Sequence, residues 1–374
     1  MKVLALEPYY GGSHRAFLDG WKTVSRHQFT VVGLEAYKWK WRMRHSAVTF
    51  ADEVKDRIDA GEHWELLFCC DMLNLAEFLG LAPRLVQQLP SVIYFHENQL
   101  TYPVRFESER DYQFAMTNMT SCLAADAVWF NSGFHKDSFL EALAEFLRRM
   151  PDEQPLDAVE RIKEKSFVYP PGVRGIEKCE KRKKGSMHLL WAARWEHDKG
   201  AEDFFEVLKI LKSRGVDFRV SVIGQHFRDV PEVFGWAKEY FAEHIERWGY
   251  QESRSEYDDA LREADVFVST AGHEFFGISA VEAALAGCYP VLPNRLAYPE
   301  ILGFGKEDGV EEFFYDGSVK GLAEKLMLLA ERIEQGMLWN GDNHKVIGLL
   351  ERFKWDNMAA MLDDAIENVL LLSN

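Results

Sequence analysis

The chain has 374 residues, 47% hydrophobic and 28% charged, which suits two globular domains and excludes disorder. Its net charge of −16 argues against general coating of nucleic acid, and no run of about 18 apolar residues is available to span a membrane. Cys69, Cys70, Cys122, Cys179 and Cys288 lack metal-ligand spacing and read as buried thiols of a reducing cytoplasm.

The start, MKVLALEPYYGG, has too short an apolar region for a signal peptide. KVLALE (2–7) predicts a buried strand bounded by Gly11 and Gly12, with a helix opening near Ser13. KWKWRMRH (38–45) follows, five basic side chains counting His45, with two tryptophans and no acid. Residues 1–50 hold eight Lys/Arg against three Asp/Glu, or +5, which leaves −21 of the total −16 to the remainder. The period-two alternation of the strip fits a half-buried edge strand with inward tryptophans. It also fits a localised contact with a polyanion.

FTVVGL, ELLFCC, SVIYFH and AVWFN repeat the pattern of buried strand, loop and helical segment, ending near FVYPPGV (167–173). Strands alternating with helices imply a parallel sheet. Residues 174–186, polar and charged, read as a linker between a first domain, 1–173, and a second, 187–353. The second series comprises HLLWAA (188–193), RVSVIG (219–224), DVFVST (265–270) and YPVL (289–292). A last helix, about 355–371, lies in the segment 354–374. The expected architecture is α/β: two doubly wound Rossmann-like domains facing a cleft, with ligands outside the carboxyl ends of the strands.

Four motifs carry chemistry. In EPYYGGSHRAF (7–17), paired glycines after a strand allow close backbone approach to a ligand, although the spacing is not a dinucleotide fingerprint. In YFHENQLTYP (94–103), His96, Glu97, Asn98 and Gln99 form a polar cluster at a strand end. In AARWEHDKG (192–200), Arg194 and Lys199 project from a strand-to-helix loop, where a diphosphate meets cations and a helix N-terminus; an ordinary charged loop reads the same. In GHEFFGISAVEAALAG (272–287), Glu274 and Glu282 stand eight apart around a helix opening at FGIS. Both carboxylates can accept from vicinal hydroxyls, as in a sugar and a ribose, and two unrelated glutamates beside an Ala-rich helix give the same spacing. No metal constellation emerges from the spacing of His, Asp and Glu.

Together these residues resemble the family-4 retaining glycosyltransferases of GT-B fold. Glu274 and Glu282 match that family's Glu-x7-Glu motif, Arg194 and Lys199 its diphosphate pair, and Gly11, Gly12 and His96 its N-domain elements. EPYYGGSH, KWKWRMR, DMLNLAEF, YFHENQLTYP, RWEHDKG, HEFFG and YPEI are similar to the tRNA-queuosine α-mannosyltransferase group, from the first strand to the last helix. The resemblance implies transfer of mannose from GDP-mannose to the cyclopentene-diol of queuosine in the tRNA-Asp anticodon, without a metal cofactor. It implies that the final helix crosses back to the acceptor-binding first domain, and that the second domain binds the nucleotide sugar. Catalytic roles are implied for His96, Glu274, Arg194 and Lys199. Donor contacts are expected from Gly11, Gly12, Ser13, Gly224, Tyr250, Phe276, Gly277, Ile278, Ser279 and Glu282, with base selection by the loops Gly224–Phe227 and Trp248–Tyr250. Acceptor contacts are expected from His14, Lys38, Trp39, Lys40, Trp41, Arg42, Arg44, His45, Glu97, Asn98 and Tyr102, the cations on phosphates and a tryptophan stacked on a base.

Two rivals differ in class. A transferase acting on a lipid or polysaccharide predicts an apolar or amphipathic basic helix in the first domain, where the strip shows period-two alternation instead. A non-catalytic RNA-binding protein on this scaffold would have lost Glu274, Arg194 or Lys199, and all three are present.

Overall fold

The computed structural model describes residues 1–104, 110–176, 185–226, 230–339 and 344–372. The chain divides into two units: Met1–Gly172 with Trp355–Asn374, and Val173–Lys354. The middle of the stretch 174–186, together with Cys179 and Phe227, lies outside the described residues. The described ends of that stretch fall in the second unit, where Val173 bridges to Lys354.

The first unit is built on β1 (Lys2–Tyr10), β2 (Gln28–Glu35), β3 (Leu66–Cys70), β4 (Ser91–Phe95), β5 (Ala127–Phe130) and β6 (Ser166–Val168). All pair in parallel, in the order β2-β1-β3-β4-β5-β6. Successive side chains of a strand point to opposite faces, so one apolar run feeds two cores. Val3, Ala5, Phe68 and Tyr94 pack with Phe17 and Trp21 of the helix Gly12–Val24 and with Leu362 and Ile366 of the helix Trp355–Leu372. Leu4, Leu6, Leu67 and Phe95 join the opposite core with Phe50, Phe78 and Phe139. The final helix therefore belongs to the first unit.

Small residues admit that helix. A Cβ on Gly20 or Gly172 would lie 2.3 Å or 2.2 Å from the Trp355 ring, so the indole occupies space that only glycine leaves. Asp363, buried in the seam, accepts from Trp21 Nε1 at 2.7 Å, Ser25 Oγ at 2.6 Å and Arg26 N–H at 2.9 Å.

The second unit contains β7 (Met187–Ala192), β8 (Phe218–Ile223), β9 (Ile245–Gly249), β10 (Val266–Val268), β11 (Tyr289–Pro293) and β12 (Phe314–Tyr315). Its order is β12-β11-β10-β7-β8-β9, again parallel, with the topological switch between β7 and β10. Sequence periodicity missed β9 and β12. IERWG is a part-exposed edge strand with an arginine at its centre, and β12 has two residues, too few for any period.

Candidate active site

The carboxyl ends of β7 and β10 carry the second unit's polar residues. Lys199 is 6% exposed. Its Nζ donates to the His273 carbonyl at 2.8 Å and lies 3.0 Å from Asp198 Oδ2 and 3.5 Å from Glu274 Oε2. Burial disfavours its charge, but Glu274 and Asp198 outweigh that and hold its pKa above the ordinary lysine value. Arg194 is half-exposed, its Nε 3.3 Å from Glu196 Oε2. The helix Ile278–Leu285 starts from Gly277, whose φ of 93° is left-handed and whose Cβ would meet Tyr298 at 2.7 Å. No side chain caps that start, and Ile278 and Ser279 form its half-buried first turn.

Glu282 is buried on the same helix. Its Oε1 accepts from Arg254 Nη2 at 2.6 Å and its Oε2 from the Tyr257 hydroxyl at 3.0 Å. Burial raises its pKa above the ordinary glutamate value despite Arg254. Each oxygen keeps a second lone pair, so the carboxylate can still accept from a hydroxyl. Arg254 and Tyr257 were not visible as partners in the sequence, since 28 and 25 residues separate them from Glu282. Gly224 follows β8, and Tyr250, 53% exposed, follows β9. The Phe276 ring is buried edge-on against Phe353, 5.2 Å between centroids, so it is core and can meet a donor only through its backbone.

The first unit gathers a second cluster at the ends of β1, β3 and β4. Glu7, 1% exposed, accepts through Oε1 from Tyr9 N–H at 2.9 Å and the Cys70 thiol at 3.0 Å, and its Oε2 lies 3.2 Å from His14 Nδ1. The His14 ring lies against His96, tilted by 37° with 4.1 Å between centroids. His96 donates its backbone N–H to Asp71 Oδ1 at 2.9 Å, while its carbonyl accepts from Asn131 Nδ2 at 2.9 Å. His96 Nε2 is buried without a hydrogen-bond partner. Spacing showed neither Glu7 nor Asp71. The one available signal was an acid at or just past the end of an apolar strand run, as in VLALE and LLFCCD.

Among the described residues, Glu7, His14 and His96 are the His/Cys/Asp/Glu group whose ligand atoms lie close enough together, within 4.8 Å, to be considered for a metal. The Glu7–His14 contact is already filled by a charge-assisted hydrogen bond. Burial lowers the His14 pKa, but the Glu7 carboxylate more than offsets this and raises it to about 9. A metal at that nitrogen would have to displace the proton shared with Glu7. Glu7 and His14 form an ion pair beside His96, a grouping that spacing along the chain concealed.

Asn98 corrects an expectation. It is fully buried, its Oδ1 accepts from Leu100 N–H at 3.0 Å and Thr101 N–H at 2.9 Å, and its Nδ2 donates to Thr101 Oγ1. The side chain is consumed in shaping its own turn and presents nothing to an acceptor. Arg110 supports the same loop through the carbonyls of Gln99, Leu100 and Tyr102. Glu97 and Tyr102 remain half-buried on it, and Gly11, Gly12 and Ser13 lie at the open start of the helix Gly12–Val24.

The strip 38–45 is not an edge strand but the start of a basic helix, so its alternation no longer counts against a lipid or polysaccharide acceptor. It opens the helix Trp39–Asp59, entered through Lys38 at φ 47°. Met43, Ser46, Ala47, Phe50 and Val54 supply a helical stripe to the core, a longer pattern that overrides the short alternation. The two tryptophans therefore separate. Trp39 packs half-buried on Phe114, 5.3 Å between centroids, while Trp41 is 60% exposed and lies 5.0 Å from the His45 ring one turn on. Arg44 pairs with Asp111 at 3.0 Å, and Arg42 donates to the Glu35 carbonyl at 3.0 Å. Lys38 and Lys40 are exposed, their ammoniums 5.2 Å and 5.5 Å from the Tyr37 and Trp39 rings.

The fold matches solved structures along the whole chain. Anabaena HepE in complex with UDP superposes with a TM-score of 0.71 at 15% identity, covering 98% of this chain and all of that one. Sucrose-phosphate synthase of Thermosynechococcus elongatus gives 0.71 at 13% identity, covering all of both chains. Residues 176–335, which hold Arg194, Lys199, Glu274 and Glu282, match the family of group 1 glycosyl transferases, and the protein is a glycosyltransferase of GT-B fold. Residues 2–173 match the N-terminal domain of tRNA-queuosine alpha-mannosyltransferase. The Drosophila melanogaster tRNA-queuosine alpha-mannosyltransferase is 39% identical over 315 residues, 80% of this chain and 81% of that protein, and the chain belongs to this family. GDP-mannose:cellobiosyl-diphosphopolyprenol alpha-mannosyltransferase of Xanthomonas oryzae pv. oryzae is 24% identical over about half of each chain. Among the described residues no helix is long and apolar enough to cross a membrane.

Proposed function

We propose that this transferase moves mannose from GDP-mannose to the cyclopentene-diol of queuosine in the anticodon of tRNA-Asp, in the cytoplasm and without a metal ion. The family supports the reaction and acceptor, and a relative named for GDP-mannose supports the donor. The observation that carries the donor reading is Lys199, a buried ammonium held by Asp198, Glu274 and the His273 carbonyl, the last two just before the uncapped helix start at Gly277. The ammonium donates to the His273 carbonyl and, at 3.5 Å, to Glu274, with Asp198 beside it as an ion-pair partner at 3.0 Å. The 3.5 Å contact to Glu274 is the longest of the three, the first to yield when a diphosphate approaches Lys199. Releasing it frees the Glu274 carboxylate for sugar hydroxyls.

Transfer retains the anomeric configuration. The bond from the anomeric carbon to the diphosphate oxygen breaks while the acceptor oxygen bonds on the same face. The acceptor's proton passes to the departing phosphate. Arg194, Lys199 and the free N–H groups at Gly277–Ser279 stabilise the developing negative charge. Glu282 holds the ribose, and His96 steadies the oxocarbenium-like sugar. On the acceptor side, Trp41 stacks on a base, and Lys38 and Lys40 meet phosphates. The test is mass spectrometry of tRNA nucleosides after incubation with GDP-mannose, UDP-glucose or UDP-galactose. A hexose increment on queuosine with GDP-mannose alone is expected; unmodified queuosine beside active donor hydrolysis would overturn the acceptor assignment.

A further inference from the structure

His96 sits against a device the reaction scheme above does not use. Glu7, which accepts from two donors through Oε1, holds His14 through Oε2, and the His14 ring lies against His96 at 4.1 Å. Phe17 and Tyr94 meet the His96 ring edge-on at 5.2 Å and 4.7 Å, and its backbone is fixed at both N–H and carbonyl. We propose that Glu7 and His14 are positioning residues for glycosyl transfer: their ion pair keeps the proton off His96 and holds its ring in one orientation. The inference rests on the reading that His96 acts in the transfer step.

The physical reason is competition for one proton. Two imidazolium rings in contact repel, so only one of the pair is charged near neutrality. Glu7 decides which, because its Oε2 faces His14. The surrounding groups agree. Burial pushes the His96 pKa well down, and His14 and His135 push it further. Glu7, Asp71 and Glu97 favour the charge on His14. Burial pushes the Asp71 pKa above the ordinary carboxylate value, while the charge on His14 draws it down. Cys70 and Tyr94 are held protonated by burial. A neutral His96 keeps one donor and one acceptor nitrogen for a sugar hydroxyl. An imidazolium there would add positive charge beside an oxocarbenium-like state and raise its energy.

The test is the pH profile of kcat between 5.5 and 8.5, at saturating donor, for wild type, His14→Gln, Glu7→Gln/His14→Gln and His96→Ala. Wild type should be flat from pH 6 to 8. In His14→Gln the buried Glu7 carboxylate loses its cation, and the proton moves to His96. For an imidazole titrating at or above about 6.5, kcat at pH 6 should fall about fourfold or more below its value at pH 8. Removing the carboxylate as well should return the double variant to a flat profile, a rescue that structural damage does not produce. A His14→Gln profile that superimposes on wild type, or a double variant that keeps the acid limb, overturns the inference. His96→Ala with wild-type kcat overturns the role of His96, and with it this inference, independently of the other two variants. Histidine NMR titration of wild type gives a reading without any variant. One ring cationic at pH 7 and its neighbour neutral below pH 6 is expected, and two rings titrating together between pH 6 and 7 would refute the pair.

Discussion

Replacing Asp363 with alanine should unlock the C-terminal helix from the first unit. The carboxylate is 2% exposed and receives three hydrogen bonds, from Trp21 Nε1, Ser25 Oγ and Arg26 N–H, at 2.6–2.9 Å. Trp21 is wholly buried, so its indole N–H would be left unpaired at a cost of about 1–3 kcal/mol. The bonds from Ser25 and Arg26 are part-buried, and water can replace them at a smaller cost, together about 1–2 kcal/mol. The loss is therefore about 2–5 kcal/mol, overlapping the range for breaking a buried charged contact. Asp363→Asn keeps the shape but turns an NH₂ toward one of the donors, for a loss of about 1–3 kcal/mol. Two units preclude a single two-state transition, so the measurement is hydrogen exchange of the helix Trp355–Leu372 and of Trp21, with urea unfolding followed by tryptophan fluorescence. Transfer should fall with it, because the helix Gly12–Val24 that Asp363 grips also carries His14, whereas GDP affinity should hold. An Asp363→Ala change below about 0.5 kcal/mol, with unaltered exchange, would refute the argument that this carboxylate anchors the helix.

Lys199→Ala should weaken GDP binding more than Arg194→Ala, each by about 1.5–3 kcal/mol at most, and calorimetry showing unchanged affinity in both would remove the donor site. Transfer should persist in excess EDTA; activity lost with chelator and restored by Mg²⁺ or Mn²⁺ would contradict charge neutralisation by side chains and a helix terminus. Trp41→Ala should cost tRNA affinity about 1–3 kcal/mol, and Lys38→Ala/Lys40→Ala should reduce the salt slope in filter binding by roughly 1.4. Trp39→Ala should instead lower stability, and equal tRNA affinity across these variants would move the RNA contact elsewhere. His14, whose pKa is raised from 6.5 to about 9, stabilises the fold fully below pH 6.5, and that contribution disappears as pH rises through 9. The first unit of wild type should thus lose about 2.5 kcal/mol more than His14→Gln between pH 7 and 10, which urea titrations at the two pH values can measure.

The sequence by itself determined the two α/β series, because buried parallel strands are short apolar runs that need no partner to be recognised. It also determined the motifs whose members are near neighbours. Arg194 with Lys199, and Glu274 with Glu282, sit on single loop-and-helix segments, where spacing along the chain is spacing in space. The strip 38–45 was ambiguous over eight residues, and its helical stripe shows only when Phe50 and Val54 are included. The rest was decided by tertiary structure. Glu7, His14, Asp71 and His96 come from four segments that only the strand order β1-β3-β4 brings together. Asp363 meets Trp21 across 342 residues, and Glu282 finds Arg254 and Tyr257 from a separate helix. Asn98 looked available for a ligand until its turn closed on it. A polar side chain's role depends on which partners burial leaves it. Those partners are chosen when sheets and helices pack, a step that local propensity and periodicity do not encode.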